Sequence, residues 1–442
     1  MSQPIVPPYP TGPEAKAAAV KALNPMGSNM IGSRILGIAT QVRDRQAEGA
    51  DICNLTIGDF SPAHFQAPEP LRAAIQRFVG EGHTNYPPAD GILELRQAIA
   101  GFYERRLGLA VPMEAIVVGS GARPPLYATY MLLLEPGDEL VYAVPSWNNE
   151  YYAYLNGAEA VLVPTTPEDG FMPTLESLRP HLRTARILHL NSPLNPCGTC
   201  IDPDELKAIC EAIVAENARR EGTDQRPLFL LYDMVYWMLT YGDTQHADPI
   251  SLCPAIAPTC VYIDAISKNF AGTGLRVGWG VVPPHIQGKF KALIGHVGAW
   301  APRPEQMATA WLLERDEVID AWLDEFRPQL EARLNLIHQR FSEMAAAGLP
   351  VRAIAPQGAI YLSIQVDLVG RSLPDGGVIE TNEQIRLLLL DGARTAVVPF
   401  RAFGLEVETG WFRMSIGAVG MDELAAALDR VEATVREVCA VS

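Results

Sequence analysis

The stretch PLFLLYD, residues 227–233, is an apolar run that ends in a carboxylate. A short continuous run of this kind reads as a strand buried on both faces. Four more flank it: DELVYAV (138–144), AEAVLVP (158–164), ARILHLN (185–191) and CVYIDAI (260–266). Helical stretches separate them, and this alternation predicts an α/β fold with a mainly parallel sheet, helices on both faces and ligands at the carboxyl ends of the strands. Polar residues recur just after these runs, in NSPLNPCG (191–198), DMVY (233–236) and SKNFAGTGLR (267–276). An unpaired Asp233 there would be costly, so it caps a helix, joins a buried ion pair or meets a ligand.

At 442 residues the chain exceeds what one core usually supports, so two domains are expected. A net charge of −16 excludes a nucleic-acid partner that needs a basic face. Any anionic ligand must be met by a few local arginines. The N-terminal MSQPIVPPYPTGPEAK has neither a basic nor an apolar targeting region, and PLFLLYDMVYWMLTY (227–241) is too short to span a bilayer. No membrane partner is expected, and the location expected is cytoplasmic. The seven cysteines (53, 197, 200, 210, 253, 260 and 439) are odd in number and scattered, which suits reduced thiols. The CGTC at 197–200 lacks a second pair to complete a metal site, and no metal is expected.

From about residue 310 the pattern changes. A helical stretch over roughly 304–346 leads to VRAIAP and GAIYLSIQVD, a helix near 381–391, the strands VVPF and WFRMSIG, and a closing amphipathic helix from Met421. The expected division is an N-terminal segment (1–60) packing on the small domain, a large domain (61–315) and a small α+β domain (316–442).

The segment DAISKNFAGTGLRVGWG (264–280) sets Lys268 and Arg276 eight residues apart among small and apolar residues. Most lysines are solvated surface charges, yet an ammonium here would be poorly hydrated. Gly272, Gly274, Gly278 and Gly280 argue against an ordinary helix. Upstream lie VVGSGARPPLY (117–127), entering a helix, and PSW (145–147) after a strand. Taken in order from NLTIGD (54–59) to WFRMSIG (411–417), these motifs resemble the pyridoxal-phosphate-dependent aminotransferases of fold type I, class I/II, the aspartate aminotransferase-like enzymes.

The resemblance implies a seven-stranded-type sheet in the large domain and pyridoxal 5'-phosphate as cofactor. It gives Lys268 the Schiff base and the proton transfer between Cα and C4′, for which a poorly solvated, neutral amine is suited. Asp233 would face the pyridine nitrogen, and Tyr236 and Asn195 the phenolate oxygen. Gly121, Ala122 and Arg123 at a helix start, with Arg276, would hold the phosphate. Trp147 would stack on the ring, or is a core tryptophan; Arg413, with Gly58 and Asn195 nearby, would grip the substrate α-carboxylate. Tyr86, in NYPPADGILELRQA, would reach the phosphate of a neighbouring subunit, implying a homodimer with shared active sites.

Two positions depart from the family pattern. Ala265 stands where a phosphate-binding serine is usual, leaving Ser267 or backbone to compensate, and Met234 replaces an acidic residue. Arg123 falls where one bacterial branch has a lysine that binds a distal carboxylate; alternatively it faces solvent or the partner, and His296 and Arg303 are weaker candidates. The expected reaction is ping-pong transfer of an amino group between an L-amino acid and a 2-oxo acid, with aspartate and 2-oxoglutarate the favoured pair. Alternatives sharing these motifs are alanine- or aromatic-preferring transaminases, C–S lyases and decarboxylases. A cofactor-sensing regulator would need an additional basic domain.

Overall fold

The computed structural model describes residues 12–147, 149–373 and 376–441. After a short strand β1 (Cys53–Asn54), the chain lays down β2 (Ile116–Ser120), β3 (Glu139–Val144), β4 (Glu159–Pro164), β5 (Ala185–Asn191), β6 (Phe229–Asp233), β7 (Cys260–Ala265) and β8 (Val277–Val281). These last seven form one sheet in the order β2-β8-β7-β6-β5-β3-β4. Strands β3 to β7 run parallel, as expected from the alternation. Strand β8 is antiparallel to both neighbours, β2 and β7. The connection over residues 266–276 holds only short helical turns, too little for the crossover a parallel neighbour requires.

Strands β5 and β6 are buried throughout except at Asn191 and Asp233, their last residues. Those two are register partners, and Asp233 also pairs with Ile263 of β7. The carboxyl ends of β5, β6 and β7 thus lie side by side. Among the described residues no helix is long and apolar enough to cross a membrane. All seven cysteines are free thiols.

A second sheet is antiparallel, built from β9 (Val351–Ala353), β10 (Tyr361–Val366), β12 (Val398–Pro399) and β13 (Trp411–Ser415) in the order β12-β13-β10-β9. Strand β11 (Thr395–Ala396) pairs in parallel with β1, joining Cys53 to Thr395 and Asn54 to Ala396. The helix expected near 381–391 spans Asn382–Asp391, begun by a Thr381–Gln384 capping box.

The helical stretch expected over 304–346 is two helices, Arg303–Leu313 and Asp316–Ala346. Arg315 leaves the helical region (φ −125°, ψ 83°), and Asp316 and Glu317 form the acidic first turn of the next helix. Asp316 is also held at 2.7 Å by Arg105 and 2.9 Å by Arg106 of the helix Leu93–Leu107. That long-range anchor is invisible in the local hydrophobic pattern.

The start of β8 passes against the turn that follows β2. A Cβ on Gly278 would fall on the carbonyl carbon of Gly121 and 2.5 Å from the Ala122 nitrogen, both backbone atoms. Gly278→Ala should therefore lower stability by about 1–3 kcal/mol, read as a reduced denaturant midpoint at unchanged slope. A Cβ on Gly274 would meet nothing within 4 Å, so Gly274→Ala should leave the midpoint near wild type.

Candidate active site

A cavity of about 440 Å³ opens at the carboxyl ends of β5 to β7, facing the second sheet. Gly58, Ala122, Arg123, Trp147, Asn195, Asp233, Tyr236, Ser267, Lys268, Arg276 and Arg413 all line it. Gly121 stands behind Arg276, with φ +85°, and a Cβ there would overlap the guanidinium. Tyr86 lies outside the lining and is 80% exposed, its ring 5.0 Å from that of Trp300. His296 and Arg303 do not line the cavity either; Arg303 donates to Asn85 Oδ1 at 2.8 Å.

Lys268 belongs to the short helix Ile266–Asn269 directly after β7. Its Nζ donates to the Gly58 carbonyl at 2.5 Å. Enclosure away from water pulls its pKa from 10.5 to about 8; Asp59 opposes this, and Arg413, Arg123 and Arg276 add to it. A substantial neutral fraction at mild pH makes this amine a nucleophile and proton carrier. Burial pushes Asp233 the other way, from 3.8 to about 7, with only the Val235 N–H at 3.2 Å opposing. Such a carboxyl is suited to a ligand that brings a positive charge or an N–H to it.

The remaining cations are held by neutral partners. Arg276 donates to the carbonyls of Thr273 (2.6 Å) and Ser120 (2.9 Å). Arg413, 1% exposed, donates to Asn195 Oδ1 (3.1 Å) and to the Thr56 carbonyl (2.6 Å), while its Nε is buried without a partner. Because Arg413 occupies the Asn195 oxygen, the amide turns its N–H groups elsewhere. The Arg123 guanidinium lies 4.5 Å over the Trp147 ring. Among the described residues, Lys268, Arg123, Arg276 and Arg413 thus share a cavity with two carboxylates, Asp59 and Asp233. In a chain of net charge −16, this local excess calls for a ligand carrying more than one anionic group.

Sequence reasoning missed three groups in the lining. Asp59 accepts from Thr273 Oγ1 at 2.6 Å. His189 has Nδ1 2.5 Å from the Tyr130 hydroxyl and a buried Nε2 without a partner; burial holds its pKa to about 3, so it is neutral. Its position two residues before Asn191, on the same strand face, was the available signal. Tyr361 of β10 gave no local signal, because it reaches the cavity from the other sheet.

The family described as aminotransferase class I and II matches residues 50–431. The chain belongs to that family. This aminotransferase is 27% identical to the aspartate aminotransferase of Geobacillus stearothermophilus over 90% of its own length and 95% of that relative's. Its fold superposes on the crystal structure of the Rhizobium meliloti aspartate aminotransferase with TM-score 0.84 and 25% identity, covering 94% of this chain and 99% of that one. The Thermus thermophilus aspartate aminotransferase with maleate gives TM-score 0.82 and 25% identity over 93% and 99% of the two chains. The aminotransferase works with pyridoxal 5'-phosphate.

The raised pKa of Asp233 has a consequence for the cofactor-free protein. Between pH 4 and about 7 the folded state binds a proton that the unfolded state releases, so this group's contribution to stability falls as pH rises through that window. Asp233→Asn should therefore be more stable than wild type at pH 8, with the gap closing toward pH 4. Thermal denaturation of cofactor-free protein across pH checks this; a gap that widened on acidification would contradict it.

Proposed function

We propose that the cavity binds pyridoxal 5'-phosphate and transfers the amino group of L-aspartate to 2-oxoglutarate. The observation that carries this is the excess of four cations over two carboxylates in one cavity. A phosphate and two substrate carboxylates are anions of the kind these cations would meet. The residues fit the cofactor: a glycine turn packed against Arg276 offers a phosphate cradle, Asp233 has no cation of its own, and Lys268 is a depressed-pKa amine. When bound, the cofactor supplies an electron sink and a carrier for the amino group.

In this reading Lys268 would anchor the cofactor and serve as the amine that carries a proton to and from the substrate Cα. Asp233 would hold a proton at the ring nitrogen, while Tyr236 and Asn195 would donate to the phenolic oxygen. Gly121, Ala122 and Arg123 backbone, Arg276 and Ser267 hold the phosphate; Ser267 lines the cavity, which supports it as the hydroxyl that Ala265 lacks. Trp147 covers the ring. Arg413, aided by Asn195 and the Gly58 backbone, takes the α-carboxylate, for which its partnerless Nε is suited. Arg123 has a neutral aromatic partner in Trp147, which supports its role at the distal carboxylate. The Thermus relative with maleate, a dicarboxylate, is in keeping with this.

We also infer a homodimer in which the exposed Tyr86 reaches the partner's phosphate. The domain division is 1–60, 61–315 and 316–442, with the β1–β11 pairing supporting the return of the N-terminal segment to the small domain.

Aspartate alone should convert the absorption of the bound cofactor to that of its amino form, and 2-oxoglutarate should reverse it. Absence of conversion with any amino acid would overturn the assignment. Arg123→Ala should lower kcat/KM for aspartate about 10- to 100-fold, as expected for a lost hydrogen-bonded charge pair, and leave alanine nearly unchanged. Equal losses on both substrates would remove Arg123 from the distal site.

A further inference from the structure

Tyr361 enters the cavity from β10, the strand paired antiparallel with the one that carries Arg413, and meets Tyr236 there hydroxyl to hydroxyl at 2.8 Å. Both side chains are buried, and their rings meet edge to face with centroids 5.6 Å apart. Tyr361 also touches the carboxylate end of the site. The Arg413 guanidinium lies 4.7 Å over its ring, and a Cβ on Gly58 would come within 2.7 Å of its hydroxyl. That closeness requires glycine at 58, so the hydroxyl has little room to move away from Tyr236.

A hydroxyl carries one proton. If Tyr236 donates to Tyr361, its proton is unavailable to an anionic oxygen in the cavity, which would then face lone pairs. If Tyr361 donates to Tyr236, the Tyr236 proton points to that oxygen and both hydrogen bonds are made. Chained hydrogen bonds also polarise one another; burial raises the Tyr361 pKa overall, and the Arg413 charge over its ring opposes that rise, which favours Tyr361 as a donor. We propose that Tyr361 is a positioning residue that sets the proton direction of Tyr236, making it a fixed donor to the phenolic oxygen of the cofactor and linking it to the carboxylate clamp at Arg413. This rests on the cofactor assignment above.

Tyr361→Phe keeps the ring, its packing and the contact with Arg413, and removes only the hydroxyl. In the holoenzyme it should lower kcat/KM about tenfold and move the pH midpoint of the bound cofactor's visible absorption upward, since a weaker donor stabilises the oxygen anion less. Tyr236→Phe should do the same more strongly. The decisive comparison is the double variant: adding Tyr361→Phe to Tyr236→Phe should change neither kcat/KM nor the midpoint further, because the two act in series. A merely structural role for Tyr361 would give the same loss in both backgrounds and no midpoint shift, and either result overturns the proposal. Wild-type conversion by aspartate alongside a wild-type-like Tyr361→Phe would sink this inference alone; failure of wild type to convert would sink the cofactor assignment with it.

Discussion

The guanidinium of Arg413 is buried with neutral acceptors and no carboxylate, and much of the architecture converges on it. Its two bonded nitrogens hold the Thr56 segment that follows β1 and the Asn195 loop that follows β5, while Tyr361 and Phe403 lie against its faces at 4.7 and 4.9 Å. An unpaired buried cation is expensive, so a fold that keeps one must offer a recurrent anion in return. The two sheets meet where that anion would sit. Lys268 and Asp233 share this condition, one held away from its charged state and the other from its ionised state by the same enclosure. The site is less comfortable without its ligands than with them, and ligand binding should stabilise the folded chain accordingly.

Most of this was legible in the chain itself because the relevant signals are local. Apolar runs ending in polar residues mark β5, β6 and β7, and parallel pairing puts their last residues side by side, which groups the NSPLNPCG segment, Asp233 and the Lys268 turn. The glycine-rich spacing marked close backbone approach, which the Gly121–Gly278 contact bears out. What escaped were features made by contacts between distant segments. Tyr361 reads as one apolar residue of GAIYLSIQVD and gains its partner only when the second sheet docks. His189 looks like an ordinary strand position until Tyr130 supplies one ring nitrogen with a partner. The helix break at Arg315 depends on Asp316 meeting Arg105 and Arg106 across the fold.

The antiparallel insertion of β8 between β2 and β7 gives Arg276 its place. A strand running with its neighbours would begin at the opposite edge of the sheet, far from every ligand-facing group. Because β8 runs backward, its first residues emerge among the carboxyl ends, and Arg276 lies beside Ser120 and the Lys268 turn. The span from amine to guanidinium is therefore fixed by a tight turn acting as a ruler. The loops and helices on the flanks of the sheet can gain or lose residues without disturbing that span, whereas the seven residues between Lys268 and Arg276 form a segment of fixed length, in which one insertion would move the two ends of the ligand site out of step.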